Sequence, residues 1–385
     1  MVLSGLNVVV CGGATGGCGA ALLLARGGAE VTLVERVAEP KEIGAGIAIA
    51  ENGLAVLESL GLGLAMSVGK PVTEVRIVDE HGRTLLAPRG EAPRAVMVRR
   101  STLQGILLDA VSGEPRIRTH FGTEVVHASP AGEVLVRQGS RESKMQADLV
   151  IGADGVHSRV REFGNFGARV RGTGIRYVRM LLENAVATGT EAWTPAGLFG
   201  SFAVDGGTYA FASCGTEACS KALDARDLDA FRASWTTAYP AASRILDGLT
   251  HFDELIMNDV LRVDCERWFD NRLVLLGDAA HAMAPNLGQG ANSALVDAAV
   301  LLDELRRSSS VGEGLVAYQQ RRRKAVRRVS DASSRLGMLA EVTHPVARTL
   351  RDRLLLPVAS LFATTTATSL LLQEPTETLR AIGRS

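Results

Sequence analysis

Two kinds of hydrophobic pattern alternate at the start of the chain. Residues 7–11, NVVVC, form an unbroken apolar run that predicts a buried strand, residues 13–28 combine a glycine-rich turn with helical periodicity, and residues 29–36, AEVTLVER, predict a second strand. This order predicts a βαβ unit and hence a parallel sheet with right-handed crossovers. Residues 42–62 predict a glycine-spaced strand leading into a short helix that stops at Gly61.

Residues 73–87, TEVRIVDEHGRTLLA, alternate between apolar and polar positions with a period of two. A His-Gly turn separates the two alternating runs, so this stretch predicts a hairpin. Further strands are predicted within residues 174–214, and helices near residues 100–111 and 223–247. After a buried strand in RLVLLGDAA, residues 272–280, the pattern is mostly helical. Pieces of a parallel α/β arrangement therefore interleave with pieces of a more antiparallel sheet.

Composition narrows the possible partners. The 385 residues include 42 Lys plus Arg and 42 Asp plus Glu, so there is no net field to attract nucleic acid or an anionic membrane. Residues 354–372 carry no charge, but Pro357 and several hydroxyl residues favour a packed helix or helix pair over a membrane span. Because the chain opens in a buried strand without a basic leader, we expect no signal peptide and a cytoplasmic location.

The five cysteines form an odd, scattered set, which favours a reducing compartment over a disulfide framework. Cys214 and Cys219 have a C-x4-C spacing that can belong to a redox pair. They lie far from the glycine-rich turn, and no second dinucleotide fingerprint accompanies them. We therefore expect two structural thiols.

The glycine-rich turn carries an almost complete G-x-G-x-x-G fingerprint, in the register Gly12, Ala14 and Gly17. Glycines let the backbone approach a pyrophosphate at a helix N-terminus, and Glu35 at the end of the second strand is placed for a ribose hydroxyl. The stretch therefore predicts an adenine-dinucleotide site, with a glycine-rich structural turn as the alternative.

Two later strands each end in an acid. DLVIGADG, residues 148–155, presents Asp154, and LVLLGDAA, residues 273–280, presents Asp278 at the carboxyl edge of the predicted parallel sheet, where α/β proteins bind ligands. The loop PNLGQG, residues 285–290, then leads into a helix whose N-terminus favours negative charge on a bound group. For Asp154, an Asp-Gly turn without a chemical role is the alternative.

In this order the motifs resemble the FAD-dependent aromatic hydroxylase family, the single-component flavoprotein monooxygenases similar to p-hydroxybenzoate hydroxylase. The resemblance covers nearly the whole chain and implies an α/β fold, in which a Rossmann-like FAD-binding domain with a parallel sheet interleaves with a mixed or antiparallel substrate sheet. The implied boundaries are 1–71, 97–165 and 262–305 for the FAD-binding domain, 72–96 and 166–261 for the substrate-binding sheet domain, and 306–385 for a helical C-terminal segment.

The same resemblance implies the FAD contacts. The pyrophosphate and adenosine end would lie at Gly12, Gly13, Ala14, Gly17, Glu35 and Arg36, and the ribityl and phosphate region at Arg100, Gln104, Asp154 and Asp278. The isoalloxazine would lie beside Gly44, Gly46, Ile47, Pro285, Gly288, Gln289, Gly290, Ala291 and Asn292. No catalytic side chain and no metal is implied, because the flavin carries the chemistry.

The implied reaction uses NAD(P)H, O2 and an aromatic or polycyclic small molecule, which a flavin C4a-hydroperoxide hydroxylates. A single fingerprint implies that the nicotinamide binds transiently. The protein is expected to be a monomer or homodimer without a nucleic-acid partner or stable membrane insertion. The alternatives are an epoxidase or oxidative-rearrangement enzyme of the same family, and a non-catalytic member that binds a flavin or another ligand.

Candidate substrate contacts lie on the antiparallel sheet. Strand alternation predicts that Arg176 and Val178 share one face and that Tyr177 and Arg179 share the other. The substrate candidates are Arg176, Arg179, Trp193 and Phe202, although Trp193 and Phe202 could equally pack in the core.

Two remaining features favour structural roles. His281, three residues after Asp278, is expected to pack or to hydrogen-bond the loop rather than to act as a base. The basic run QQRRRKAVRR, residues 319–328, is expected to be a solvated helix face rather than a nucleic-acid surface, because no aromatic residues interleave with it.

Overall fold

The computed structural model describes residues 3–39, 45–73, 75–87, 94–357 and 371–383. Gly44 and most of the apolar run 354–372 lie outside the described residues, so the expectations for them stay predictions. The strands are β1 Asn7–Cys11, β2 Glu30–Glu35, β3 Gly46–Ala50, β4 Lys70–Pro71, β5 Arg76–Val78, β6 Thr84–Leu86, β7 Ala95–Arg99, β8 Ile117–Phe121, β9 Thr123–Ala128, β10 Glu133–Gln138, β11 Arg141–Gln146, β12 Leu149–Gly152, β13 Ala168–Leu182, β14 Thr190–Thr194, β15 Gly197–Val204, β16 Gly207–Ser213, β17 Ile256–Cys265, β18 Phe269–Asp270 and β19 Leu273–Leu275.

The helices lie between the strands of the first half and dominate the C-terminal part. They are α1 Thr15–Arg26, α2 Glu51–Ser59, α3 Arg100–Ser112, α4 Val160–Phe163, α5 Glu217–Asp224, α6 Leu228–Ala238, α7 Ser243–Leu246, α8 Asp278–His281, α9 Gly290–Arg307, α10 Val311–Ala340, α11 Pro345–Leu350 and α12 Thr376–Ile382. Short 3₁₀ turns occur at Ala65–Val68, Pro240–Ala242, Phe252–Glu254 and Pro285–Leu287, and a π turn at Arg351–Leu355. The predicted helical C-terminus is confirmed for these residues.

A largely parallel sheet, in the order β18–β19–β12–β1–β2–β8, forms the first core. β1 pairs in parallel with β2 on one side and with β12 on the other, which confirms the predicted βαβ unit. Small residues let α1 approach its neighbour α9 closely: a Cβ at Gly19 would lie 2.9 Å from a methyl carbon of Leu295. The four residues of β1 after Asn7 are buried because helices cover this sheet.

A second sheet has the order β17–β13–β16–β15–β14–β5–β6, mostly in antiparallel pairs. It confirms the hairpin predicted in residues 73–87 and the strands predicted in residues 174–214. The helix predicted near residues 223–247 is broken into shorter pieces. Asp227 caps α6 by accepting the Ala230 amide at 2.9 Å, and Pro240 cannot continue that helix.

The two faces of this second sheet have different surroundings. Helices α5, α6 and α7 cover the face that carries Val178 and Phe199, and they pack there around Trp235. The opposite face carries Tyr177 and Tyr209 and meets β3 and the end of α10. The alternation predicted for residues 176–179 is therefore confirmed.

Two smaller sheets connect these layers. Strands β3, β7 and β4 pair in the order β3–β7–β4, and β9, β10 and β11 form an antiparallel meander. The meander was not predicted, because β11, RESKMQ, is polar and exposed along almost its whole length and gives no alternating signal. The division into domains at the boundaries given above stays a prediction.

One sequence expectation is wrong, and a second holds only in part. Cys214, just after β16, and Cys219, in α5, form a disulfide with their Cα atoms 5.6 Å apart, a separation that suits the bond. The basic run on α10 is not uniformly solvated. Arg322 is fully buried and donates to Asp297 Oδ1 at 2.8 Å, whereas Arg328 is exposed. Nothing in the local sequence revealed that α9 supplies the acid.

None of the helices in the described ranges combines the length and the apolarity needed to cross a membrane.

Candidate active site

The fingerprint turn between β1 and α1 depends on two of its glycines. Gly12 has φ +106°, and a Cβ on Gly17 would lie 1.8 Å from the carbonyl oxygen of Gly12. Neither position can carry a side chain without moving the backbone. Ala14, the N-cap of α1, is exposed, so its methyl group is accommodated at the position where the motif has its middle glycine.

Glu35 and Gln104 hold this turn from two sides. Glu35 accepts the Gly13 amide on Oε2 at 2.6 Å and the Val37 amide on Oε1 at 2.9 Å. Gln104, on α3, donates from Nε2 to the Gly13 carbonyl at 2.6 Å. The predicted residues therefore converge on one backbone segment, with the exposed Arg36 following Glu35.

Asp154 lies directly against the fingerprint. A Cβ on Gly12 would be 2.4 Å from the Ala153 carbonyl oxygen, so the two loops touch. Asp154 Oδ2 accepts the amides of Arg159 at 2.7 Å and Val160 at 3.1 Å. Its Oδ1 is buried without a hydrogen-bond partner in the described part of the chain, and burial raises the pKa of this carboxyl. One oxygen thus shapes the Asp-Gly turn, and the other is a free acceptor.

The third predicted segment brings Asp278 to the start of α9. Asp278 is exposed and follows Gly277, which has φ +58°. The Pro285–Leu287 turn ends at Gly288, with φ +62°, and a Cβ on Gly290 would meet Asp278 Oδ1 at 3.8 Å. The backbone at the beginning of α9 is therefore open to a ligand, and the amides of a first helical turn lack partners within the helix.

Asn292 connects α9 to β3. Its Oδ1 accepts the Ala50 amide at 3.0 Å, and its Nδ2 donates to the carbonyls of Ala48 at 3.0 Å and Gly288 at 2.8 Å. Its side chain is fully buried. Asn292 therefore fixes the strand and the turn that were predicted to flank the isoalloxazine, and its half-buried neighbour Ala291 belongs to the same first helical turn.

A buried ionic cluster, formed by Asp297, His281 and Arg322, supports the turn at Gly277. Asp297 Oδ2 accepts the Gly277 amide at 3.0 Å and lies 2.5 Å from His281 Nε2. Burial raises the pKa of Asp297, but the charges of His281 and Arg322 outweigh it and lower that pKa to about 2. The ring of His281 packs against the ring of Trp268, with their centroids 4.9 Å apart, as expected of a structural histidine.

Three aromatic side chains, Tyr209, Phe211 and Phe202, form what we name the aromatic platform on the β3 side of the second sheet. Phe211 stacks on Phe202 with ring centroids 6.1 Å apart and lies 5.5 Å from Tyr209. Phe202 and Phe211 are half-buried, whereas Tyr209 is buried. β3 crosses the platform so closely that a Cβ on Gly46 would lie 2.5 Å from the Tyr209 ring.

The other predicted substrate residues are separated by the sheet. Arg179 lies on the platform face and donates to Asn258 Oδ1 at 2.7 Å. Arg176 lies on the opposite face, where it pairs with Asp224 and Asp259 at 3.0 Å. Trp193 is fully buried in the core. The structure therefore brings Arg179 and Phe202 to the β3 side and leaves Arg176 away from them.

Sequence reasoning missed Tyr209 and Phe211. Residues 208–214, TYAFASC, lie within the region where strands are predicted, and their alternation of aromatic and small residues is the signal that could place both rings on one face. Arg100, which opens α3, is exposed, and its charge acts on Tyr209. Ile47 packs partly against the first core beside Gly46.

These groups suit FAD. The turn before α1 has no room for a side chain at Gly12 or Gly17, because the backbone packs closely there, and Glu35 provides carboxylate oxygens at the end of β2. Asp154 Oδ1 is a buried acceptor without a donor in the described residues. The loops after the parallel neighbours β1, β12 and β19 therefore lie at one edge of the sheet, the edge at which α/β proteins bind dinucleotides.

Comparison with known proteins agrees with this geometry. A family model described as "FAD binding domain" matches residues 5–333. Aurachin C monooxygenase/isomerase from Stigmatella aurantiaca is 29% identical, with 93% of this chain and 95% of that protein covered. The 2-heptyl-3-hydroxy-4(1H)-quinolone synthase from Pseudomonas aeruginosa (strain UCBPP-PA14) is 29% identical, with 92% and 95% covered.

A solved structure has the same architecture along most of the chain. The structure of a variant of 2-methyl-3-hydroxypyridine-5-carboxylic acid oxygenase superposes with a TM-score of 0.77 at 25% identity, over 93% of this chain and 96% of that chain. The match of the family model over most of the sequence settles the classification. The chain belongs to the FAD-binding-domain family and is an FAD-dependent monooxygenase.

Proposed function

We propose that this monooxygenase hydroxylates an aromatic or polycyclic small molecule, with NAD(P)H as the electron donor and O2 as the oxygen source. The observation that carries the proposal is the close crossing of β3 over the aromatic platform at Gly46 and Tyr209. Flat rings stack favourably on aromatic side chains. A planar substrate on the platform would lie beside the strand that is expected to flank the flavin ring.

Bound FAD would supply the redox chemistry, in which two electrons from the nicotinamide allow one oxygen atom of O2 to enter an electron-rich ring and the other to leave as water. We assign the residues of this chain to binding and positioning. Gly12, Gly17 and the start of α1 would hold the pyrophosphate, and Glu35 the ribose. The N-terminus of α9 would stabilise negative charge on the flavin ring.

For the substrate side we keep Arg179 and Phe202 and leave out Arg176, which is engaged with acids on the other face. Half-buried aromatic rings beside β3 would exclude water from the reacting centre, which limits loss of oxygen as hydrogen peroxide. The name of one relative supports the aromatic class, because it denotes a hydroxylated quinolone, a fused nitrogen heterocycle.

We also propose a cytoplasmic location and a monomeric or homodimeric state. The free, buried thiols Cys11, Cys18 and Cys265 and the need for NAD(P)H support the first point. The disulfide between Cys214 and Cys219 counts against it, so fractionation of the producing cells is the direct test. Light scattering tests the second point.

The function is tested with the FAD-loaded protein, by following oxidation of NADH and of NADPH with and without phenols, quinolones and other heteroaromatics. We expect one class to accelerate oxidation and to yield a product heavier by about 16 mass units, one oxygen atom. An epoxide or rearranged product with that mass gain would favour the alternative reaction of the same family. Failure to bind FAD, or oxidation that yields only hydrogen peroxide with every compound, would contradict the proposal.

A further inference from the structure

A buried acid stands on the same sheet face as the aromatic platform. The strand register places Glu191 opposite Gly200, Gly200 opposite Phe211, and Phe211 opposite Arg179. Side chains directly opposite each other project from the same face. Glu191 and Arg179 therefore occupy the two ends of one row, with their backbones about 14 Å apart across three strand spacings.

The middle of this row is aromatic. A Cβ on Gly200 would lie 2.4 Å from Phe211 Cζ, so the ring of Phe211 lies over the glycine and extends toward Glu191. Glu191 keeps an exposed fraction of 9%, whereas Trp193 and Thr194 on the same strand have 0%. The strand register places the Glu191 side chain on the platform face, so we expect this accessible surface to lie on that face.

Glu191 has one carboxyl oxygen that is not used by its protein partner. Trp193 donates from Nε1 to Glu191 Oε1 at 2.7 Å, which leaves Oε2 for another contact. The pKa of Glu191 is raised to about 7. Burial is the main cause and the charge of Glu341 also raises this pKa, whereas the hydrogen bond from Trp193 lowers it. The carboxyl therefore titrates nearer to neutral pH than an exposed glutamate does.

Tyr177 lies near Glu191 and also contacts the turn before α9 that is predicted to flank the flavin. Tyr177, on β13, accepts a hydrogen bond from Asn286 Nδ2 at 2.8 Å, and Asn286 belongs to the Pro285–Leu287 turn. Burial raises the pKa of Tyr177, and the charges of Glu341 and Glu191 raise it further. The guanidinium carbon of Arg351 lies 5.2 Å from the centroid of the Trp193 indole ring.

We infer that Glu191 accepts a hydrogen bond from a ring N–H or O–H of the substrate, while Arg179 donates to an oxygen at the other end of the same ring system. The inference rests on the proposed function. A carboxylate substituent would be repelled at the Glu191 end, and the span of the row suits a fused ring system over the platform. The geometry points to a fused heteroaromatic that carries a ring N–H and a ring carbonyl, as in a 4-quinolone.

The probes are 4(1H)-quinolone and 1-methyl-4-quinolone, which lacks the N–H. Each is titrated into the FAD-loaded protein, and binding is followed by the change in flavin absorbance. For the N–H probe we expect affinity to rise about tenfold between about pH 6 and about pH 8, because the ionised fraction of a group with pKa about 7 rises by that factor. The N-methyl probe should bind more weakly and without this dependence.

Matched variants isolate the carboxylate. Glu191→Gln should bind the N–H probe without the pH dependence, whereas Glu191→Asp keeps a titrating group withdrawn by one methylene and should show weaker binding that still varies with pH. Glu183→Gln removes an exposed acid just after β13 and should match the unmodified protein. Uptake of FAD is measured first for every variant, and Glu191→Asp carries the test should Glu191→Gln not fold.

Several outcomes would overturn the inference. One is the same pH dependence in the Glu191→Gln variant and in the unmodified protein, and another is equal affinity for the two probes. If the unmodified protein takes up FAD and hydroxylates another aromatic compound but binds neither quinolone, the substrate class is wrong and the proposed function stands. If it takes up no FAD, the proposed function itself fails.

Discussion

Arg322 donates from Nε to Oδ1 of Asp297 at 2.8 Å, and neither side chain has any exposed area. The other carboxylate oxygen of Asp297 holds the Gly277 amide, one residue before Asp278. Arg322 also donates from Nη2 to Gln373, which in turn donates to Gln289 in the loop before α9. One buried ion pair therefore supports two segments of the predicted flavin site.

The first prediction concerns this pair. Arg322→Met leaves the Asp297 carboxylate buried with fewer partners, so we expect it to lower the free energy of unfolding by about 3–5 kcal/mol. The measurement is urea denaturation followed by circular dichroism. Arg328→Met, at an exposed position of the same helix, should change the free energy by less than about 0.5 kcal/mol. Equal losses in the two variants would show that the buried pair has no special role.

The second prediction is a pH dependence. The pKa of Asp297 is about 2 in the folded protein against 3.8 ordinarily, because His281 and Arg322 outweigh the effect of burial. A lowered pKa in the folded state stabilises the protein above about pH 3.8, and this stabilisation is lost as the pH falls through about 2. We expect its loss to amount to about 2 kcal/mol. Asp297→Asn should remove that part of the acid dependence, which denaturation at a series of pH values measures.

The third prediction separates two positions of the fingerprint. Gly17→Ala places a Cβ 1.8 Å from the Gly12 carbonyl oxygen, so the turn must open and FAD binding should fall by at least about tenfold. Ala14→Gly removes an exposed methyl group and should leave FAD affinity equal or higher. Titration of the apoprotein by flavin fluorescence measures both. A large loss in Ala14→Gly would mean that the register of the motif is misread.

Local sequence patterns predict some elements of this fold but not the contacts between residues distant in the chain. The βαβ unit, the hairpin and the acids at the strand ends follow local periodicity and turn chemistry, which act over a few residues. Which arginine of the basic run becomes buried depends on Asp297 and Asp303 of another helix, and no local pattern encodes that contact. The aromatic platform likewise depends on the register of β15 against β16, which unites Phe202 with Tyr209.

The fourth prediction concerns the disulfide. Cys214 and Cys219 are 5 residues apart in sequence, and closing so short a loop stabilises the folded state by about 2 kcal/mol. Replacing both with serine, or adding a reductant, should lower the free energy of unfolding by about that amount. Adding reductant to the double variant provides the control, since it should have no further effect. A full complement of free thiols in the denatured, untreated protein would contradict the pairing.

The fifth prediction concerns the contact between the substrate sheet and the flavin loop. Tyr177→Phe removes the hydroxyl that accepts the Asn286 Nδ2 hydrogen bond, and Asn286 Oδ1 is already buried without a partner in the described residues. Leaving the amide unpaired should cost about 1–3 kcal/mol of stability. It should also loosen the Pro285–Leu287 turn, so that water reaches the reacting centre and a larger share of the consumed NAD(P)H yields hydrogen peroxide.

A matched tyrosine separates this effect from general destabilisation. Tyr239 is buried on the other face of the sheet, where the centroid of its ring lies 5.8 Å from that of Phe199. Tyr239→Phe should therefore lose comparable stability without changing the ratio of product to peroxide, measured by chromatography and a peroxidase assay. If both variants release the same share of peroxide, the Tyr177–Asn286 hydrogen bond does not control the access of water. If only Tyr177→Phe does so, the second sheet takes part in positioning the flavin loop as well as in binding the substrate.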